Sequence, residues 1–182
     1  DPNGQDLIAI TEKLNLTNGE VKISTNKVPP EDLAKIYNAV DCTVNISDAE
    51  GFGLATLESL ACETPIIVSM TGGMQEQVTD GTSWFGMGLE PSSKSIIGSQ
   101  EVPYIYEDRI NKDDFIDAMV EFYEMTAEEK STMGAAGRKH VLDNYGHTQY
   151  SDLWYKTFQN AFEKFGSWEN RKNHKAWELV EL

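Results

Sequence analysis

The chain has 182 residues, of which 40% are hydrophobic and 25% charged, as in one globular domain rather than a disordered or fibrous protein. Fifteen basic and thirty acidic residues give a formal net charge of −15. Such a charge repels phosphate backbones and anionic lipid, so we expect neither nucleic acid nor a membrane surface as a partner.

The first two-thirds of the chain alternates between helical and strand periodicities. We expect a short helix from Asp6 to about Gly19, a strand in GEVKIST and a helix that opens at Pro30. Strand CTVNIS, helix GLATLESLAC, doubly buried strand PIIVSM and short helix MQEQV follow. Strands and helices that alternate at roughly thirty-residue spacing predict an α/β fold with a Rossmann-like, doubly wound parallel sheet.

The alternation stops at Thr82, and the last third of the chain is helical. Residues 82–101 are rich in glycine and serine and predict a long loop of unknown role, followed by a final strand in VPYIYE. Three C-terminal helices come next, and Thr126 with Glu129 forms a capping box for the second. We expect their apolar and aromatic stripes to pack in the core, and the acidic stretches YEDRINKDD and TAEEK to face solvent.

The cysteines and histidines indicate neither a disulfide framework nor a metal site. Cys42 and Cys62 lack the spacing of a disulfide framework or a zinc site, so we expect two reduced, buried thiols and no bound metal. No signal peptide or transmembrane segment is evident, which predicts a cytoplasmic protein. The placement of the three histidines predicts structural or surface roles; they are His140, His147 and His174.

Two glycine turns follow neighbouring predicted strands. The first runs from Ser47 through Gly51 and Gly53 into a helix, and the second is made of Thr71, Gly72 and Gly73. Ligands bind at the carboxyl ends of parallel strands, where free amides at helix N-termini hold phosphate and glycine lets it approach the backbone. Two adjacent turns of this kind predict a site for an extended ligand such as a sugar diphosphate.

Two glutamates flank the first turn. Glu50 lies within it, and Glu58 lies in the following helix. At ~1.5 Å per residue, Glu58 is roughly 7–8 Å along the helix axis from Gly53. We therefore expect the carboxylates to contact opposite ends of a ligand, one a sugar ring and the other a ribose, rather than to form an acid–base dyad.

The Glu-x7-Glu spacing of Glu50 and Glu58 occurs here together with EGFGL, TPIIVS, TGG and DG, in that order. In this combination the sequence resembles the retaining GT-B glycosyltransferases of the large sucrose-synthase/mannosyltransferase-like family, over about residues 6–165. The resemblance implies the C-terminal half of a GT-B fold followed by C-terminal helices. Residues 1–165 would form an N-terminally incomplete nucleotide-sugar-binding domain, and residues 166–182 a tail that crosses to a missing N-terminal domain.

The resemblance also implies roles for single residues. Glu50 would be the catalytic carboxylate that holds the donor sugar, and Glu58 would bind the ribose hydroxyls. The other residues carried over are Ser47 before the loop, Phe52, Gly53 and Leu54 at the sugar and diphosphate, and Lys27 and Val28 at the nucleobase. Glu76 remains open between a ligand and an ordinary acid at a helix start.

The implied reaction is the retaining transfer of a hexosyl unit from a nucleoside-diphosphate sugar to a hydroxyl of a glycan or other acceptor. The resemblance implies neither a metal nor another cofactor. An Arg and a Lys that the family supplies from an earlier βα unit would precede Asp1, so we expect a piece of a longer polypeptide, inactive alone. One alternative is a non-catalytic nucleotide-sugar-binding subunit completed by a partner chain. A sugar-nucleotide epimerase is a remoter one, since its acid–base residues are not found.

Overall fold

The structure is a computed structural model that describes residues 5–172. The chain divides into two compact units, residues 1–33 and 34–182. The predicted role of the C-terminal tail and that of His174 fall largely on residues 173–182, which lie outside the described residues.

The first unit contains helix α1 (Leu7–Lys13) and the start of helix α2 (Pro30–Ala39). Asp6 caps α1 as predicted, because its side chain accepts a hydrogen bond from the amide of Ala9 at 3.0 Å. The helix ends earlier than expected, since Asn15 has a left-handed φ of 56°. The predicted strand GEVKIST is wrong: among the described residues no strand pairs with this segment, and Val21 and Ile23 are each 43% exposed.

The second unit is built on a three-stranded parallel sheet in the order β1 (Thr43–Asn45), β2 (Ile66–Ser69) and β3 (Gly86–Leu89). Helix α3 (Leu54–Ala61) connects β1 to β2, and helix α4 (Met74–Val78) connects β2 to β3. The predicted parallel α/β fold is confirmed, and the helix at MQEQV begins and ends where the sequence pattern placed it.

The central strand β2 is buried on both faces, as its apolar sequence predicts. On one face, Ile66 and Val68 pack in a cluster with Leu60 of α3 and Met74 of α4. On the other face, Ile67 packs with residues that include Leu89 and Phe122. Helices therefore cover both sides of the sheet, so that its carboxyl edge is free to carry the functional turns.

The prediction of a long loop over residues 82–101 is wrong. The segment contains β3 and a further strand, β4 (Ser93–Ile97), which pairs antiparallel with β5 (Ile105–Arg109). The glycines that suggested a loop serve close packing, because a Cβ atom at Gly86 would lie 1.8 Å from the carbonyl oxygen of Ile66. The predicted final strand exists as β5, but it forms a separate hairpin with β4, and we refer to residues 93–109 as the hairpin.

Three helices complete the described chain: α5 (Lys112–Glu124), α6 (Ala127–Asn144) and α7 (His147–Phe165). Asn111 caps α5, and Thr126 and Glu129 form the predicted capping box of α6. The apolar stripe of α5 packs in the core through Phe122, which is 4% exposed.

The aromatic stripe of α7 does not pack in the core, contrary to the prediction. No residue of this helix is buried, and Trp154 and Phe158 contact each other with ring centroids 5.2 Å apart. No α7 residue belongs to either hydrophobic cluster of the described core, and the exposed members of the stripe are Tyr150, Leu153, Trp154, Phe158, Phe162 and Phe165. None of the described helices is long and apolar enough to cross a membrane.

The two cysteines are free and half-buried rather than fully buried. Burial raises the pKa of the Cys42 thiol, which favours the neutral, unreactive form.

Candidate functional site

The first glycine turn leads from β1 into α3. Gly53 is the N-cap residue of the helix and has a left-handed φ of 85°. A Cβ atom at this position would lie 2.9 Å from the Cγ atom of Met74, so the turn requires glycine here for its conformation and its packing. Gly51 differs, because no atom beyond its two chain neighbours lies within 4 Å of the Cβ position.

The carboxylate of Glu50 lies on the amides of its own turn. Its Oε1 atom accepts hydrogen bonds from the amides of Gly51 at 3.1 Å and of Gly53 at 3.2 Å. These two amides therefore hold an anionic oxygen at the positive end of α3, where the N-cap glycine supplies no side-chain cap. Any other hydrogen-bond acceptor for these two amides would have to displace the Glu50 carboxylate.

The second glycine turn packs directly on the first. The amide of Gly73 donates to the carbonyl oxygen of Gly51 at 3.0 Å, and a Cβ atom at Gly72 would lie 1.7 Å from the carbonyl oxygen of Glu50. The predicted adjacency of the two turns is therefore found. The glycines of the second turn allow the turns to touch, and the Gly73 amide is used in that contact.

A buried amide that the sequence interpretation missed fastens the first turn to α4. Gln77 is fully buried; its Nε2 atom donates to the carbonyl oxygen of Phe52 at 2.6 Å, and its Oε1 atom lies 2.6 Å from the hydroxyl of Thr56. Its position could have been a signal, since Gln77 shares a helix face with the buried Met74 and Val78.

Glu58 lies on the exposed side of α3, apart from the first turn. The hydroxyl of Tyr37 donates to its Oε2 atom at 3.0 Å. Burial and the neighbouring Glu58 carboxylate raise the pKa of Tyr37 to about 12, so the hydroxyl stays protonated and donates at neutral pH. Glu50 and Glu58 thus have separate partners and do not form a dyad.

The remaining predicted residues occupy varied positions. The Ser47 hydroxyl donates to Asn45 Oδ1 at 2.6 Å, while Phe52 and Leu54 have exposed side chains. Lys27 and Val28 are exposed residues of the first unit, and their predicted nucleobase contact stays a prediction.

Glu76 and His140 meet behind the second turn. The Glu76 side chain is exposed in the first turn of α4, and its carbonyl oxygen lies 2.8 Å from Nε2 of His140. His140 also stacks on the ring of Phe85, with centroids 4.6 Å apart, which is a structural role. No cluster of potential metal ligands occurs within residues 5–172.

The hairpin is fastened to the first turn by an ion-pair network. The Arg109 guanidinium contacts the carboxylates of Asp48 and Glu107, and the amide of Asp108 donates to the carbonyl oxygen of Asp48 at 2.7 Å. The Asp108 side chain is only 12% exposed. The prediction that the stretch YEDRINKDD faces solvent is therefore wrong at Asp108, because its alternation in a strand turns this acid inward.

The sequence model of the family Glycosyl transferases group 1 matches residues 4–140, a span that includes both glycine turns and the hairpin. The chain belongs to this family. Its fold is shared with the sucrose-phosphate synthase from Thermosynechococcus elongatus, with a TM-score of 0.63 and 23% identity over 88% of this chain and 37% of the synthase. The predicted family and the GT-B-type fold are confirmed.

Curated relatives match over a shorter stretch. The D-inositol 3-phosphate glycosyltransferase of Acidothermus cellulolyticus is 43% identical over 56 residues, which are 31% of this chain and 12% of that protein. The enzyme of the same name from Streptosporangium roseum is 47% identical over 55 residues, or 30% of this chain and 13% of that protein. The match with these relatives thus covers about one-eighth of their length.

Proposed function

We propose that this glycosyltransferase chain is the donor-binding part of a retaining enzyme that transfers a hexosyl unit from a nucleoside-diphosphate sugar. The observation that carries the proposal is the pair of amides, from Gly51 and Gly53, that holds a carboxylate oxygen at the start of α3. Amides that hold one anionic oxygen suit the oxygen of a diphosphate, and the helix dipole adds to the attraction.

The same amides support catalysis. The diphosphate gains negative charge as its bond to the sugar breaks, and preorganised donors that face this charge lower the barrier. We expect neither a metal nor another cofactor, since amides and the helix dipole act where a cation would otherwise act. The leaving phosphate would assist deprotonation of the acceptor hydroxyl on the same face of the sugar, so that the configuration is retained without a protein base.

The two glutamates take different parts in this proposal. Glu50, once displaced from the amides, lies beside the diphosphate and would hold hydroxyls of the donor sugar near its anomeric carbon. Glu58, oriented by the Tyr37 hydroxyl, would accept hydrogen bonds from the ribose. A carboxylate binds vicinal hydroxyls well because it offers two acceptor oxygens.

The acceptor would be held by a second domain. Transfer requires acceptor and leaving group in one cleft away from water, and this chain supplies the donor wall of that cleft. The curated relatives are named for transfer to D-inositol 3-phosphate, so a hydroxyl of a glycan or cyclitol is the acceptor class that we propose. We expect the 182 residues alone to transfer no sugar.

The test is calorimetric titration with UDP, GDP and ADP and with their hexose derivatives. We expect one nucleotide series to bind, and Gly51→Val to abolish binding without loss of folding, because its side chain would project into the path of the diphosphate. If none of the three series binds, or if Gly51→Val binds as well as the wild type, the proposal fails. Product mass spectrometry on a longer chain with an N-terminal domain then separates a transferase from a non-catalytic binding subunit.

A further inference from the structure

The hairpin and the second glycine turn line an open cavity of about 550 Å³. Its walls come from Thr71, Gly72 and Gln75 on one side and from Ser93, Lys94 and Asp108 on the other. The volume lies within the range of small-molecule sites. Thr71 and Gly72 belong to the turn predicted to bind a sugar diphosphate, whereas the resemblance assigns no role to Ser93, Lys94 or Asp108 of the hairpin.

The wall that the hairpin supplies has unsatisfied hydrogen-bonding capacity. The Oδ1 atom of Asp108 is buried and has no hydrogen-bond partner among the described residues, and Lys94 Nζ lies 3.5 Å from it, at ion-pair distance. Buried carboxylate oxygens without a donor are rare because their desolvation is not compensated. Lys94 is 66% exposed at its side chain, so it can turn toward a ligand. The Asp108 Oδ1 atom is buried here, and a ligand hydroxyl would donate to it once Lys94 has moved.

The charge pattern of the cavity favours a neutral, hydroxylated ligand. A phosphate would meet the carboxylates of Asp108 and Glu90, and a metal ion would meet the ammonium group of Lys94. Hydroxyl groups both donate and accept, so a ring that carries several of them can satisfy Asp108, Lys94 and the hydroxyl of Ser93 together.

The cavity lies next to the proposed donor site and is held there. The second turn that forms one wall contacts the first turn through the hydrogen bond from Gly73 to Gly51. The hairpin that forms the other wall is tied to Asp48, two residues before Glu50, by Arg109 and by the amide of Asp108. A ligand in the cavity is therefore adjacent to the turn that carries Glu50.

We propose that this cavity binds a polyhydroxylated six-membered ring, with Asp108 and Lys94 as its specificity-determining residues. The proposal rests on the proposed donor-binding function, and the ring belongs either to the donor sugar or to a hydroxylated acceptor. In either case the hairpin selects which ring reaches the first glycine turn.

The test uses amide chemical shifts of the ¹⁵N-labelled 182-residue chain with three kinds of probe. These are a nucleoside diphosphate, the matching nucleotide hexoses, and free methyl hexopyranosides and cyclitols at up to saturating concentration. A donor ring shifts the amides of Ser93, Lys94 and Asp108 with the nucleotide hexose but not with the nucleoside diphosphate. An acceptor ring shifts the same amides with a free glycoside or cyclitol.

Two variants and one control make the result specific. Asp108→Asn and Lys94→Gln should each weaken binding of the ring-bearing probe at least tenfold. Neither variant should change the affinity for the nucleoside diphosphate. Asp143→Asn removes the carboxylate of another Lys–Asp pair, with Lys139 on α6, and should change nothing. Hairpin amides that no ring-bearing probe shifts, or shifts that persist in Asp108→Asn and Lys94→Gln, would overturn the proposal.

The two proposals fail in different ways. A nucleoside diphosphate that leaves the amides of Gly51 and Gly53 unshifted contradicts the donor site. The free glycosides and cyclitols report on the cavity without any nucleotide, so their result stands independently of that outcome.

Discussion

Replacing Glu50 with alanine should distinguish the contribution of the nucleoside diphosphate to binding from that of the sugar. The Glu50 carboxylate accepts hydrogen bonds from the amides of Gly51 and Gly53, so a diphosphate would compete with it for both. Glu50→Ala removes this competitor and also removes the proposed ligand of the sugar hydroxyls. The bare nucleoside diphosphate should therefore bind more tightly, and the nucleotide sugar should lose affinity relative to it.

The magnitudes follow from the number of hydrogen bonds. Loss of a charged hydrogen bond to the sugar costs ~1.5–3 kcal/mol, so the affinity for the nucleotide sugar should fall roughly 10- to 100-fold relative to that for the nucleoside diphosphate. Relief of the competition for the amides acts on both ligands and cancels in this ratio. The gain for the nucleoside diphosphate is smaller, since the two amides bond to water when Glu50 is absent, and we expect at most about tenfold tighter binding. Glu58→Ala should weaken both ligands alike, by ~1–3 kcal/mol.

Calorimetry with wild type, Glu50→Ala and Glu58→Ala measures both ligands under one set of conditions. Glu50→Gln is a useful third variant, because it keeps the size of the side chain and weakens it as a competitor for the amides. Equal losses of nucleoside diphosphate affinity in Glu50→Ala and Glu58→Ala would show that the division of roles is mistaken.

Three further predictions test the support of the site. Gly51→Ala should change the free energy of unfolding by no more than about 0.5 kcal/mol but weaken binding of the nucleoside diphosphate. Gly53→Ala should lower the denaturation midpoint, because Gly53 has a left-handed φ and lies close to Met74. Equal stability losses in the two variants would contradict this. Gln77→Met should destabilise the chain by ~1–3 kcal/mol and speed hydrogen exchange of the Gly53 amide, and unchanged exchange would refute its fastening role. The pKa of Tyr37 rises from 10.0 to about 12 on folding. The stability that its neutral form provides is therefore complete below pH 10 and is lost as pH rises to about 12. The free energy of unfolding of Tyr37→Phe in urea should lack this pH-dependent component, and parallel wild-type and variant curves over pH 9–12 would disprove it.

The sequence predicted the elements whose own residues determine them. Strand β2 is apolar enough to be buried on both faces, and the capping box of α6 needs only Thr126 and Glu129, so both were found. The adjacency of the two glycine turns also followed, because parallel strands place their carboxyl ends at one edge.

Three of the misses share a physical cause, which is that each depends on a partner remote in sequence. Glycine composition predicts a loop at Gly86, but the residue lies in a strand where the backbone of Ile66 approaches too closely for a side chain. GEVKIST alternates as a strand does, but a strand forms only against a neighbour, and none pairs with it among residues 5–172. The inward position of Asp108 depends on hairpin pairing with Lys94, which composition does not reveal.

The first glycine turn is held from three sides, which supports the proposed exchange of the Glu50 carboxylate for a phosphate oxygen. Gln77 holds the carbonyl of Phe52, the second turn holds that of Gly51, and the hairpin holds that of Asp48. All three contacts use carbonyl oxygens, which leaves the amides of Gly51 and Gly53 directed to an anion. In the proposed exchange the backbone need not move, because rotation of the Glu50 side chain alone would free the two amides for a phosphate oxygen. Amides that already face an anion, here the Glu50 carboxylate, are preorganised to stabilise the charge that develops on a leaving diphosphate.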